Sequence, residues 1–116
     1  MNARKDGRED RERMAAVKQA MQRNLRVGVP LQQIAAECGI GYESLRKEFP
    51  RVFGCSMSRY MIQLRINEAK TMLLDRGMTI KETAQELGYC DTFAFANQFK
   101  SVEGIPPGKF VGQWKK

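Results

Sequence analysis

Two stretches decide the reading of this chain: PLQQIAAECGI at residues 30–40 and TIKETAQELGY at residues 79–89. Set one over the other, Leu31 meets Ile80 and Ala35 meets Ala84. Glu37, Cys38 and Gly39 then meet Glu86, Leu87 and Gly88, and Ile40 meets Tyr89. Past the turn the register shifts by one residue. Leu45 now pairs with Phe95, Phe49 with Phe99, Gly54-Cys55-Ser56 with Gly104-Ile105-Pro106, and Arg59-Tyr60 with Lys109-Phe110. Each copy is a short amphipathic helix, a glycine turn and a second helix carrying aliphatic or aromatic residues four apart. The alanine suits a close helix crossing, and the glycine can leave the first helix with a positive φ. Generic helical hairpins would share neither this Ala-x-x-x-Gly frame nor the matched positions after it.

Working outward, helical spacing of Met14, Val17, Met21 and Leu25 predicts helix 1 over about 8–26, stopped by Gly28. Residues 1–10 are too charged to pack and read as a flexible N-terminal segment. Helix 2 covers Leu31 to Cys38, with Pro30 suited to its first turn. Helix 3 starts at Tyr42 and is expected to end or kink near Phe49, because Pro50 lacks a backbone donor and crowds the preceding turn. Tyr60, Met61, Leu64, Ala69, Met72 and Leu73 form the stripe of helix 4, about Met57 to Asp75. At ~1.5 Å per residue it spans about 27 Å. Thr79 and Glu82 make a capping box for helix 5, Asp91 caps helix 6, and Pro106 or Pro107 starts helix 7, which ends near Trp114. The domain reading is a flexible segment at 1–10, a first helix-turn-helix subdomain at 11–56, a connecting helix at 57–76 and a second subdomain at 77–116.

Composition narrows the function. Lys and Arg number 20 against 13 acids, a formal charge of +7 over 116 residues, which favours a polyanionic partner. No stretch reaches the ~18–20 apolar residues of a membrane span, and the charged N-terminus carries no secretory signal, so no membrane partner is expected. Three separated cysteines and no histidine exclude zinc-finger ligand sets and Cys/His or Ser/His/Asp catalysis. The chain is therefore read as a non-enzyme without cofactor or metal, with reduced thiols in a cytosol. Cys38 and Cys55 align with Leu87 and Ile105, so burial is expected for both, and Cys90 is placed in the exposed second turn.

The residues Ile80-Lys81-Glu82, Ala84, Gly88-Tyr89, Asp91, Phe95, Phe99-Lys100, Gly104 and Pro106, together with Tyr60, Leu64-Arg65-Ile66, Ala69 and Met72-Leu73, closely resemble the arabinose-regulator (AraC/XylS) family of bacterial transcription factors. The match covers about residues 12–114. The resemblance implies an all-α, homeodomain-like region of seven helices, two helix-turn-helix subdomains joined by a long central helix. It implies a sequence-specific regulator of transcription, activator more often than repressor. Its recognition helices, about 42–52 and 92–103, would enter successive major-groove segments of double-stranded DNA. It further implies RNA polymerase as a partner, a cytoplasmic, nucleoid-associated location, and an effector-binding or dimerisation domain outside this chain. The sequence departs from the family where Pro50 replaces a common lysine, and where Ala96 and Asn97 stand in place of the frequent Ser and Arg.

Recognition helices meet base edges with their N-terminal halves. In helix 3 the face opposite Leu45 and Phe49 carries Glu43, Arg46 and Lys47; Arg and Lys suit guanine O6 and N7, and Glu can accept from cytosine N4. The equivalent positions of helix 6 are Thr92, Phe93, Ala96 and Asn97, suited to adenine and the thymine methyl. Phe93 is equally readable as a core residue. Phosphate contacts are assigned to the helix starts at Leu31, Thr79 and Ile80 and to Arg51 and Lys100. Arg65 sits within an apolar helix and calls for a partner, read as an acid across the seam between the units. The alternative function is a helix-turn-helix-derived protein-interaction module that has lost DNA recognition, for which the uncharged helix 6 face is the best argument.

Overall fold

The computed structural model describes residues 8–114, with side chains described from Arg11 onward. Seven helices and no strand occur among the described residues: α1 (Arg8–Arg23), α2 (Leu31–Glu37), α3 (Tyr42–Phe53), α4 (Met57–Leu74), α5 (Ile80–Glu86), α6 (Thr92–Glu103) and α7 (Pro107–Trp114). The flexible segment expected at 1–10 lies outside the described residues up to residue 7, and Arg8 already opens α1. None of the described helices is long and apolar enough to cross a membrane. The chain divides into two compact units, one holding the residues up to Leu25 and Val29–Met61, the other Arg26–Gly28 and everything from Ile62.

In the first unit α1 packs on α2 and α2 on α3. Met14, Val17, Ala20 and Met21 from α1, Ile34 and Ala35 from α2, Leu45 and Phe49 from α3, and Met57 and Met61 from α4 are buried. Helix α1 stops at Arg23, before the expected 26, because Asn24 turns its side-chain amide back onto the Ala20 carbonyl at 2.6 Å. That bond replaces the one a continuing helix would supply.

The expected break at Pro50 does not occur: α3 runs through it to Phe53. Proline removes one bond, to the Arg46 carbonyl, but Pro50 and Arg46 both lie on the exposed side of the helix. On the inner side Phe49, Phe53 and Tyr60 form a triangle of rings with centroids 4.4, 5.3 and 5.1 Å apart, which holds the last turn in place.

In the second unit Ile66, Ala69, Met72, Leu73, Ala84, Leu87, Phe95, Phe99 and Phe110 make one core. Its aromatic spine runs Tyr89–Phe95–Phe99–Phe110 with centroid steps of 5.2, 5.8 and 5.3 Å. Helix α5 begins with the predicted capping box. The Glu82 N–H donates to Thr79 Oγ1 at 3.0 Å, and the Thr79 N–H donates to Glu82 Oε1 at 2.9 Å. Asp91 caps α6 by accepting from the Ala94 N–H at 2.7 Å.

Arg65 is buried, and its charge and a hydrogen bond act on the Tyr89 hydroxyl of the same unit. The Tyr89 hydroxyl in turn donates to Gln98 Oε1 of α6 at 2.6 Å. Burial pushes the Tyr89 pKa up, outweighing the charge and hydrogen bond of Arg65 that pull it down. Cys38 and Cys55, expected to be buried, are only half-buried, and Cys90 is exposed. Leu87, which matches Cys38, is buried, whereas Ile105, which matches Cys55, is itself half-buried, so that second place is only partly covered in both units.

Candidate nucleic-acid interface

The sequence repeat recurs in the helix lengths and in the backbone bonds at the turns. Helices α2 and α5 are each 7 residues long, and α3 and α6 each 12. At the turn, the Ile40 N–H donates to the Ala35 carbonyl at 3.0 Å, and the Tyr89 N–H to the Ala84 carbonyl at 3.0 Å. At the far end, Gly54 and Gly104 donate to the carbonyls of Pro50 and Lys100 at 2.9 and 2.8 Å. The same small set of contacts therefore presents the second helix of each pair in the same way.

What each second helix shows to solvent differs. On α3, Leu45 and Phe49 are buried, while Glu43, Arg46, Lys47 and Arg51 are all exposed. The Glu43 carboxylate is already engaged through one of its oxygens. Its Oε1 takes the Arg46 Nη2 hydrogen bond at 2.7 Å and the Nε bond at 3.2 Å. That hydrogen bond, and then the charge of Arg46, hold the Glu43 carboxyl below the usual carboxylate range.

On α6, Phe95 and Phe99 are buried, Thr92, Asn97 and Lys100 are exposed, and Ala96 is half-buried. Phe93, which the sequence left open between core and surface, is 74% exposed. The phenyl ring thus lies in solvent rather than in the core, at the N-terminal end of a face that carries no charge before Lys100.

Of the residues assigned to phosphate, Arg51 and Lys100 are exposed, and the side chains of Leu31 and Ile80 are half-buried beside their helix starts. Thr79 is exposed; its hydroxyl oxygen accepts from the Glu82 N–H and its own N–H donates to Glu82 Oε1. Sequence reasoning passed over three exposed first-turn cations, Arg59 of α4, Lys81 of α5 and Lys109 of α7. Arg59 occupies the repeat position of Lys109, and that correspondence was the available signal.

One support of the second turn has no signature in the sequence. The Arg26 guanidinium donates from Nη1 to the carbonyls of Glu86 at 2.7 Å and Gln85 at 3.3 Å, closing the C-terminal end of α5. The Val27 N–H donates to the Leu87 carbonyl at 2.9 Å. A cation at a helix C-terminus also meets the negative end of the helix dipole.

Two short helix pairs with glycine turns, each presenting a second helix by its solvent face, define a tandem helix-turn-helix module. Comparison with known proteins agrees. Residues 34–113 match the family described as a helix-turn-helix domain. The transcriptional regulator GbdR of Pseudomonas aeruginosa is 31% identical over 87 residues, which is 75% of this chain and 24% of GbdR. Among solved structures, the AraC-type DNA-binding domain protein of Chromobacterium violaceum superposes with a TM-score of 0.82 at 20% identity, covering 90% of this chain and 94% of that one. The DNA-binding domain of AdpA, solved with a target DNA, gives 0.77 at 16% identity over 89% and 92% of the two chains.

The chain belongs to the AraC-type family of helix-turn-helix transcription regulators, which are not enzymes. It spans about a quarter of the length of the curated relative GbdR.

Proposed function

We propose that this chain is the DNA-reading part of a transcription regulator that acts on a specific double-stranded site through α3 and α6. One observation carries the reading: Arg46 and Lys47 stand exposed on the outer face of α3, turned away from buried Leu45 and Phe49. Arg and Lys are the side chains that read guanine in the major groove. We assign Arg46 and Lys47 to base edges in one groove segment. Thr92, Phe93, Ala96 and Asn97 are assigned to a second, successive segment that leans to A·T. Arg51 and Lys100, with the first backbone N–H groups of α2 and α5 at Leu31 and Ile80, are assigned to phosphates. Thr79 serves by fixing the start of α5. AdpA's structure with a target DNA supports a DNA partner for this fold. Activation, contact with RNA polymerase, a cytoplasmic location at the nucleoid and an effector domain elsewhere in the protein are what membership of the family implies.

A second reading has one observation in its favour. The N-terminal half of the α6 face, before Lys100, is uncharged and shows a 74% exposed phenylalanine, as a protein-binding surface would. A salt titration separates the two. DNA reading predicts that log K for random duplex falls steeply and linearly with log salt, about 0.9 per phosphate neutralised. A flat dependence from low to physiological salt overturns DNA reading and leaves the protein-binding surface.

A further inference from the structure

The most informative pair on the exposed recognition face is the acid beside the arginine. Glu43 and Arg46 sit one turn apart on α3, and two guanidinium nitrogens, Nη2 at 2.7 Å and Nε at 3.2 Å, converge on the single oxygen Oε1. Arg46 has freely rotating bonds and, unheld, would sample many orientations. Two bonds to one oxygen restrict that range. They also place a negative charge beside the cation, among phosphates that repel it.

We infer that Glu43 is a specificity-determining positioning residue: it holds Arg46 for base readout and masks it from the phosphate backbone, rather than reading a base itself. The inference rests on the proposed DNA-reading function. The physical logic is discrimination by repulsion. An unmasked arginine gains affinity for any duplex, because every duplex carries phosphates. A masked one gains fully only where a guanine edge offers two acceptors in place of the carboxylate. The hydrogen bond from Arg46 is also the largest cause that lowers the Glu43 pKa. Lys47 is a lesser contributor to the same lowering, so the acid faces two cations on its own helix.

The test uses the full chain, a duplex carrying a site selected from a random pool, a duplex of random sequence, and Glu43→Gln and Glu43→Asp. Glu43→Gln keeps the size and removes the charge. It is expected to raise random-duplex affinity on the order of tenfold at 50 mM salt, with the salt slope steeper by roughly one ion, and the gain should vanish toward molar salt. The ratio of selected to random affinity should fall with it. Glu43→Asp keeps the charge and should leave random-duplex affinity near that of the parent.

A mutant cycle shows whether the effect runs through Arg46. Glu43→Gln should weaken discrimination in the parent, and in Arg46→Ala it should remove no remaining preference at any base pair of the site. Loss of additional discrimination in that background would mean that Glu43 reads a base, and would overturn the inference. So would a Glu43→Gln protein with the parent's random affinity and slope. A readout without DNA is the Arg46 Nε–H resonance, whose exchange with solvent should speed up in Glu43→Gln; no change contradicts the pair. A parent that fails to prefer the selected duplex overturns the proposed function itself. A parent that prefers it while Glu43→Gln changes nothing overturns only this inference.

Discussion

Gly88 lies against Val27 so closely that a Cβ on the glycine would sit 3.1 Å from the Val27 nitrogen and 3.3 Å from its carbonyl oxygen. Both atoms are backbone, and that nitrogen is already bonded to the Leu87 carbonyl at 2.9 Å. Gly39, the matching turn glycine of the first unit, has a similar φ of +70° against +85°, with nothing within 4 Å of its notional Cβ. The pair separates two costs that usually travel together. Gly39→Ala should cost only left-handed strain, about 1–2 kcal/mol. Gly88→Ala should cost roughly 2–4 kcal/mol, since the strap at Val27 must also shift. Denaturant unfolding of the two variants checks this, and equal losses would show that the approach of Val27 adds nothing.

Pro50 offers a gain instead of a loss. It stands inside α3 on the exposed side, where its missing N–H leaves the Arg46 carbonyl without its usual helical donor. Pro50→Ala should restore that bond without disturbing the Phe49–Phe53–Tyr60 rings, and should stabilise the protein by about 1–3 kcal/mol. A lower melting temperature would mean that the proline shapes the helix in a way the aromatic packing requires.

These two sites mark the border of what the sequence could tell. The tandem repeat, the turn glycines, the capping box at Thr79 and Glu82 and the cap at Asp91 are local patterns, and all appear as read. Pro50 misled because a local rule, that proline ends helices, lost to ring packing from Tyr60, which no window around Pro50 reveals. The helix-closing role of Arg26 was invisible for a related reason: its acceptors lie at residues 85 and 86, and backbone carbonyls leave no mark in a side-chain pattern. Phe93 could not be placed, since an aromatic at a helix start suits core and surface alike. The recognition faces were legible as residue types, but the engagement of Glu43 by Arg46 was not, because either side chain could have reached toward solvent.

The capping box permits a third test. Thr79→Ala removes the acceptor of the Glu82 N–H and keeps the bond from the residue 79 N–H to the Glu82 carboxylate. The expected loss is ~1 kcal/mol of stability. Helix α2 begins at Pro30 without a side-chain cap, so Pro30→Ala has no such bond to lose and should cost less. Thermal unfolding of both variants decides the comparison, and equal effects would deny the box its role.

On the DNA side, Arg46→Ala and Lys47→Ala should each weaken binding to a selected site by ~1–3 kcal/mol and relax preference at one or two base pairs. Lys100→Ala and Arg51→Ala, assigned to phosphates, should weaken selected and random duplexes alike and reduce the salt slope by about one each. Competition binding with single-base variants of the site distinguishes the two patterns, and a uniform loss from Arg46→Ala would move that residue to the phosphate class.

The claim that both α3 and α6 read DNA stands or falls on footprinting of a selected site. Two protected groove segments about one helical turn apart are expected. The double variant Arg46→Ala/Lys47→Ala should clear protection from a G·C-rich segment while sparing the other, and Phe93→Ala/Asn97→Ala should do the converse at an A·T-rich segment. A single protected segment, insensitive to Phe93 and Asn97, would contradict the claim and leave the α6 face to another partner.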